Sequence, residues 1–328
     1  MSECSVVASA WVAWIIVCVV WGTTYLAIRI SLETLPPALM AAMRWLAAGG
    51  LLAAGLWFRS ERWPPLRQWP GLALTGLLLI GLGNGGVVWA EQYVPSGLTA
   101  IVVATVPFWM VGVEAALPSG ERLTARAMMG LVVGFGGIVM LVWPELAEGG
   151  AHAARFGWGI VALQIACAGW ALGSTYSRRH ATNAGVAAST ALQMIFGGAQ
   201  MLVVGLALGE QDAVRFSVRT AAALGYLIVA GSIGGFLAYA YALRHLPIST
   251  VSLYAYFNPV IAVVLGSIIL DEPLGARIAA AAGLVLLGVA IVRLPRGVSV
   301  GSVIRSATTS GRKVRGGLAR LLRREVPP

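Results

Sequence analysis

Two stretches of sequence decide the fold: PSGLTAIVVATVP at residues 95–107 and PISTVSLYAYFNP at residues 247–259. Both begin and end with proline, so Pro95 and Pro107 recur as Pro247 and Pro259 with the same spacing of twelve. The distance between the two stretches is about half of the 328-residue chain. A repeat on this scale predicts two structurally related halves.

Further matches outside these stretches support the duplication. The turn Glu121-Arg122-Leu123-Thr124-Ala125-Arg126 recurs as Glu272-Pro273-Leu274-Gly275-Ala276-Arg277, and Cys18-x-x-Trp21 recurs as Cys167-x-x-Trp170. We therefore predict a first repeat over residues 1–150, a second over residues 151–294, and a basic tail over residues 295–328.

The composition places both halves in a membrane. Of the residues, 58% are apolar and only 11% are charged, and the mean hydropathy is +0.82. A soluble domain carries about 25% charged residues. A membrane-spanning helix needs about 20 mostly apolar residues. Ten apolar segments of about this length, numbered one to ten below, occur at residues 10–29, 38–58, 70–90, 96–117, 126–143, 157–177, 185–208, 220–242, 248–270 and 276–294.

The positions of the basic residues predict the orientation. With a cytoplasmic N-terminus, the inner loops and the tail hold 17 of the 23 Lys and Arg residues, which agrees with the positive-inside rule. Both termini are then cytoplasmic, and the tail is expected to be solvated, with binding to anionic lipid as the alternative. Because each half holds five segments, an odd number, the second half must be inverted relative to the first. Inverted repeats are typical of alternating-access carriers.

Several motifs, taken in order, resemble the EamA family of the drug/metabolite transporter superfamily. The motifs are Trp21-Gly22-Thr23-Thr24-Tyr25, Arg44-Trp45-Leu46-Ala47-Ala48-Gly49, Gly83-Asn84-Gly85, Ala90-Glu91, Pro95-Ser96-Gly97, Trp170-Ala171-Leu172-Gly173-Ser174-Thr175-Tyr176 and Tyr254-Ala255-Tyr256-Phe257-Asn258-Pro259. The resemblance covers about residues 10–294. It implies two five-helix EamA repeats and export of amino acids, metabolites or drugs, but it supplies no particular substrate.

Candidate site residues are the prolines and the polar or aromatic residues inside the apolar segments. Pro107 and Pro259 interrupt corresponding helices, which predicts a hinge or cavity role, although a kink that serves only packing is the alternative. Aromatic walls with a few hydrogen-bonding groups suit organic solutes. The predicted cavity residues are Trp21, Tyr25, Asn84, Trp89, Trp170, Tyr254 and Asn258.

Two charged positions complete the prediction. Arg44 lies about 10 Å inside segment two by helical rise, and a buried Arg needs a partner. Glu91, at the outer end of segment three, is on the same side of the membrane, so we predict that the two form an anchor for a substrate carboxylate or an outer gate. The alternatives are a structural ion pair and an Arg44 side chain that extends to the outer lipid headgroups. Glu114 is expected to pair with Arg122 or Arg126, or else to couple transport to protons.

The predicted function is export of small organic solutes by alternating access across the bacterial inner membrane. Two alternatives are a facilitator without proton coupling and a membrane sensor that binds a ligand without moving it.

Gly81-Leu82-Gly83-Asn84-Gly85-Gly86 lies inside an apolar helix and predicts close packing rather than nucleotide binding. Motifs of enzymes, metal sites and ATP binding are absent from the sequence, so no cofactor or metal is expected. The expected partners are a small-molecule solute and membrane lipid, a homodimer is left open, and no nucleic acid is expected.

Overall fold

A computed structural model describes residues 3–117, 124–180, 185–251, 254–272 and 275–293. Within these ranges the chain forms helices and no strand. The basic tail lies outside the described residues. The helices of the first half are Glu3–Ser31, Pro37–Phe58, Trp69–Gly76, Leu77–Asn84, Gly85–Ala90, Ser96–Val103, Val106–Ala116 and Ala125–Ala147. Those of the second half are Gly150–Arg179, Val186–Ala207, Val218–Tyr226, Leu227–Gly234, Gly235–His245, Ile248–Val251, Tyr254–Leu270 and Ala276–Arg293.

The helices agree with a membrane protein. In the described ranges, eight helical stretches are long and apolar enough to cross a bilayer. They correspond to segments one to eight. Segments nine and ten contain the shorter apolar helices Phe257–Leu270 and Ala276–Val292, so the predicted count of ten spans stays a prediction.

One predicted boundary is wrong. Segment five does not end before Pro144, because its helix continues through this proline to Ala147. Segment four covers Ser96–Ala116, as predicted, and is interrupted at Ala104 and Thr105, which divide it into Ser96–Val103 and Val106–Ala116. Because proline lacks an amide hydrogen and fits the first turn of a helix, Pro107 begins a new helix instead of bending a continuous one.

Segments three and eight share an unusual feature. Segment three is π-helical over Leu77–Asn84, and segment eight is π-helical over Leu227–Gly234. The two stretches are equally long and occupy equivalent positions in the two halves. A π-helical stretch widens the turn and often lies at a functional site.

Equivalent segments of the two halves pack against each other in opposite directions. In the contact between segments two and seven, Gly49 lies against Ile195, while Gly205 lies against Leu39 near the other end of the pair. Segments five and ten cross in the same antiparallel way, with Gly130 against Gly288. If the halves had the same orientation, equivalent segments would run parallel.

In the remaining contacts, the first segment of each half packs against segments of the other half. Segment one packs against segments eight and nine, whereas segment six packs against segments three and four. Small residues permit these close crossings. Gly169 and Gly173 lie against Leu82 and Leu79, and Gly235 lies against the indole of Trp21. These three glycines therefore allow neighbouring segments to pack closely.

Candidate functional site

A small cavity of about 70 Å³ lies at the middle of the bundle, where segments one, two, three, four, six and nine meet. This central cavity has room for about two water molecules, each of which occupies about 30 Å³ in the liquid. Its wall brings together five of the predicted cavity residues with others from the same segments. The lining residues are Trp21, Thr24, Tyr25, Ile28, Arg44, Trp45, Gly83, Asn84, Val87, Val103, Val106, Ala166, Cys167, Trp170 and Tyr254.

One side of the central cavity is an aromatic cluster contributed by segments one, six, eight and nine. The ring of Trp21 lies 5.3 Å from that of Trp170, 5.0 Å from that of Tyr239 and 5.2 Å from that of Tyr254. The Tyr239 hydroxyl forms a 2.7 Å hydrogen bond with the Ser174 hydroxyl. These four rings are termed the aromatic cluster below.

The π-helical stretch of segment eight helps to orient this cluster. The indole N–H of Trp21 donates a 3.1 Å hydrogen bond to the carbonyl of Gly231. Gly231 lies within Leu227–Gly234, where the widened turn alters the main-chain hydrogen-bond pattern. The position of Trp21 is thus fixed by the backbone of the opposite half.

Arg44 is buried, as predicted, but it is not paired with Glu91. Its side chain is 2% exposed, and its Nε donates a 2.7 Å hydrogen bond to the hydroxyl of Ser232. The guanidinium carbon lies 4.6 Å from the centre of the Trp45 ring. Among the described residues, no carboxylate lies within 4.0 Å of the guanidinium, and Nη1 has no acceptor.

Glu91 lies in the turn that follows segment three and does not line the central cavity. Arg29 donates a hydrogen bond to its main-chain carbonyl. The carboxyl group is fully buried, and neither oxygen has a donor. Burial therefore raises the pKa of Glu91 well above its usual range, and this effect outweighs the nearby charges of Arg29 and Arg44, which lower it, while Glu272 raises it further.

Glu91→Gln is expected to stabilise the protein at alkaline pH. A raised pKa means that the folded state binds the proton more tightly, so the wild type loses stability as the pH rises above the ordinary carboxyl value of 4.5. The Gln variant resembles the neutral carboxyl and does not suffer this loss. Thermal unfolding of the two purified proteins should therefore coincide at acid pH and differ by about 2–4 °C at alkaline pH. A difference that does not depend on pH would contradict the assignment.

The two predicted asparagines have structural partners. Asn84 accepts a 2.9 Å hydrogen bond from the indole of Trp45 at the wall of the cavity. Asn258 is buried outside the cavity wall, where its amide nitrogen faces the carbonyls of Cys18 at 3.0 Å and Tyr254 at 3.2 Å. Asn258 thus connects segment nine to segment one.

Trp89 is not brought to the cavity. Its side chain is 38% exposed and packs against Tyr93. It follows Asn84 by five residues, which is about 140° around an α-helix. The cavity face of segment three at Asn84 is therefore not the face that carries Trp89.

Both predicted hinge prolines are buried close to the cavity. Pro107 follows the break in segment four, and the residues on the two sides of this break, Val103 and Val106, line the cavity. Pro259 lies inside the helix Tyr254–Leu270, one turn after the cavity residue Tyr254. A hinge role for either proline stays a prediction.

A second, larger cavity of about 590 Å³ opens at one end of the bundle. This cavity, termed the vestibule, lies between the ends of segments three, six, seven and eight. At its inner end are Leu79, Phe236 and Tyr239, so the aromatic cluster separates the vestibule from the central cavity. Its polar and charged lining residues are Arg67, Gln68, Thr75, Tyr176, Ser177, Arg178, His180, Ser189, Thr190, Gln193, Tyr239 and Arg244.

The opposite end of the bundle is closed by hydrogen bonds between the two halves. The Glu272 carboxylate accepts from the main-chain N–H groups of Ser96 and Gly97 at 2.8 and 2.9 Å. The Glu210 carboxylate accepts from the N–H of Leu39 at 2.8 Å. Both carboxylates thus cap the N-terminus of a helix in the other half, which is a favourable position for negative charge. Further contacts at this sealed end join Thr34 to Thr220, Glu33 to Arg219 and Glu145 to Arg277.

Glu114 lies at the vestibule end and has a different partner from those predicted. Its carboxylate forms a 2.7 Å ion pair with Arg179 of segment six, and both side chains are partly exposed. Of the two predicted partners, Arg122 lies outside the described residues. The observed contact joins the two halves near the mouth of the vestibule.

Among the residues that were not predicted from the sequence, three shape the site most directly. Tyr239 and Phe236 form the boundary between the two cavities, and Ser232 binds Arg44. All three lie on segment eight. The available signal was the equivalence of segments three and eight, because Asn84 on segment three had already been assigned to the cavity.

Comparisons with known proteins agree with this architecture. The model of the EamA-like transporter family matches residues 9–143 and again residues 157–294. The chain is 37% identical over 277 residues to the uncharacterized inner membrane transporter YedA of Escherichia coli (strain K12), which covers 84% of this chain and 88% of the relative. It is 27% identical over 275 residues to the uncharacterized transporter YvbV of Bacillus subtilis (strain 168), with the same two coverages. One protein crystal structure superposes with a TM-score of 0.64 at 21% identity, over 87% of this chain and 96% of the other, and shows the fold alone.

Proposed function

The chain belongs to the EamA-like transporter family, and on this premise we propose that it exports small organic solutes by alternating access. Family membership and the inner-membrane relatives make it a multi-pass inner membrane transporter. The mechanism, the direction of transport and the class of solute are the proposed part.

The observation that supports alternating access best is the difference between the two ends of the bundle. An open vestibule of about 590 Å³ reaches the aromatic cluster from one end, while glutamates from the second half cap helices of the first half at the sealed end. In our proposal this arrangement is one of two states. In the other state the sealed end separates and the vestibule closes, so that the central cavity becomes accessible from the opposite side.

In our proposal the orientation in the membrane rests on the charge at the vestibule. Arg67, Arg178 and Arg244 line it, and cytoplasmic loops carry the excess of basic residues in inner-membrane proteins. We therefore assign the vestibule and both termini to the cytoplasmic side. A cytoplasmic solute would enter the vestibule, displace the aromatic cluster, bind in the central cavity and leave after the sealed end opens.

Efflux from proteoliposomes tests the proposal even though the solute is unidentified. Vesicles containing the purified protein are loaded with a defined mixture of amino acids, aromatic acids and organic cations, and the external medium is analysed by mass spectrometry. We expect saturable efflux of at least one compound above the level of protein-free vesicles. Saturable binding to the purified protein without efflux of any compound would instead identify a sensor.

An imposed pH gradient distinguishes the two modes of transport. In a proton antiporter the initial efflux rate should change when the gradient is reversed. A facilitator should respond only to the gradient of its solute. The same vesicles without ATP serve both measurements, because the sequence holds no nucleotide-binding motif that could drive transport directly.

A further inference from the structure

The guanidinium of Arg44 is a buried charged group whose hydrogen-bonding capacity is only partly satisfied by the protein. It is a buried charge at the wall of the central cavity, with one hydrogen bond to a neutral hydroxyl and an Nη1 that has no acceptor. An uncompensated buried Arg is costly, by at least about 2.5–3.5 kcal/mol on insertion scales. A ligand that brings a negative charge and a hydrogen-bond acceptor would remove this cost.

We propose that the transported solute carries an oxyanion group, such as a carboxylate, and that Arg44 binds this group in the central cavity. The inference rests on the proposed transport function and adds the chemical class of the solute. A planar guanidinium suits an oxyanion because its N–H groups can bind two oxygens of one carboxylate.

The protein offers no substitute for the missing anion at this position. Among the described residues that line the central cavity and the vestibule, none is Asp or Glu. Glu91, at the sealed end, makes no ion pair with Arg44 and lies outside the cavity wall. Burial also raises the pKa of Glu91, which makes it a weaker partner for a cation than an ordinary carboxylate.

The vestibule provides a second, weaker argument for an anionic solute. Its charged lining residues are Arg67, Arg178 and Arg244, with His180 beside them. A cavity lined by charges of one sign concentrates solutes of the opposite sign. Basic residues are also expected at a cytoplasmic surface because of the positive-inside rule. The main evidence for an anionic solute is therefore Arg44, and the charge of the vestibule is only consistent with it.

The rest of the cavity wall indicates the body of the solute. Aromatic faces of Trp21, Trp170 and Tyr254 surround the space, and the oxygen of Asn84 already accepts from Trp45. Apolar or aromatic carbon skeletons pack well on such faces. Because the central cavity holds only about 70 Å³, the aromatic cluster must move when the solute binds.

The test compares carboxylates with the primary amides of the same skeleton. Phenylacetate, hexanoate, N-acetylphenylalanine and phenylalanine are each paired with their amide, and binding to the purified wild type is measured by thermal stabilisation and by tryptophan fluorescence. We expect at least one carboxylate to bind about tenfold or more tightly than its amide. Equal binding of acid and amide, or no binding of any carboxylate, would overturn the inference.

Variants of Arg44 assign the preference to this residue. Arg44→Gln should abolish the preference for the acid, and Arg44→Lys should keep part of it because the charge remains. Arg219→Gln is the matched control, since it removes a cation at the sealed end that pairs with Glu33 far from the cavity wall. If Arg44→Gln does not fold, the wild type and Arg44→Lys decide the question. An unchanged preference in a folded Arg44→Gln protein would overturn the assignment.

Failure of this inference can be distinguished from failure of the proposed function. If amides leave the proteoliposomes as fast as the acids, the oxyanion inference is wrong and transport still holds. If a carboxylate binds through Arg44 but no compound is released from the vesicles, the transport proposal is wrong.

Discussion

Oxidation of a Gly97→Cys/Val263→Cys variant is expected to abolish solute efflux, and reduction is expected to restore it. A Cβ atom placed on Gly97 would lie 3.2 Å from the Cα of Val263. The two new side chains would therefore be close enough for a disulfide, whose Cβ atoms are about 3.5–4.5 Å apart. Segments four and nine belong to different halves, so the bond would hold the sealed end closed.

The physical reason for a complete effect is the location of the bond. Gly97 is next to the place where Glu272 caps segment four, and this capping contact must break if the sealed end opens. A covalent bond at the same place removes the outward-open state instead of only making it less frequent. Efflux should then fall to the level of protein-free vesicles.

Single substitutions and the redox cycle provide the controls. The pair is introduced into a protein in which Cys4, Cys18 and Cys167 are replaced by Ala, so that no other thiol can react. Gly97→Cys alone and Val263→Cys alone, treated with the same oxidant, should retain their efflux. Undiminished efflux from a fully cross-linked protein would show that the two halves do not separate here, and alternating access in the proposed form would be wrong.

The duplication could be predicted because it leaves direct marks in the sequence: matched prolines, a matched turn and two Cys-x-x-Trp motifs. Which segments of one half pack against which segments of the other could not be predicted. This packing between the halves depends on many close contacts of small residues, such as the contact of Gly173 with Leu79. A count of apolar residues along one helix contains no information about the helix on which it packs.

The prediction for Arg44 shows the same limit. Its depth in the membrane followed from helical rise, and its burial is observed. Glu91 was predicted as the partner because it lies on the same side of the membrane, but the direction of a side chain around the helix axis matters equally. The group that binds Arg44 is Ser232, which lies in the π-helical stretch of segment eight. A π-helical turn changes the direction of the side chains around the axis, so the α-helical period that we applied to segment eight did not indicate this contact.

Gly288→Ala is expected to destabilise the protein more strongly than any single substitution described above. A Cβ atom on Gly288 would lie 2.5 Å from the carbonyl oxygen of Gly130 and 2.5 Å from the amide nitrogen of Gly134. Both are backbone atoms of segment five, so no rotation of a side chain can relieve the overlap. Overpacking of this kind costs about 1–3 kcal/mol, and for a chain of 328 residues we expect the unfolding temperature to fall by about 2–5 °C.

Gly283→Ala is the matched control, because it lies on the same helix and a Cβ atom there would have no neighbour within 4 Å. Alanine favours a helix by about 1 kcal/mol over glycine, so this variant should be as stable as the wild type or slightly more stable. The difference between the two variants then measures the close crossing of segments five and ten, separately from helix propensity. Equal unfolding temperatures for Gly288→Ala and Gly283→Ala would mean that these two segments, and with them the antiparallel contact between the halves, do not pack this closely.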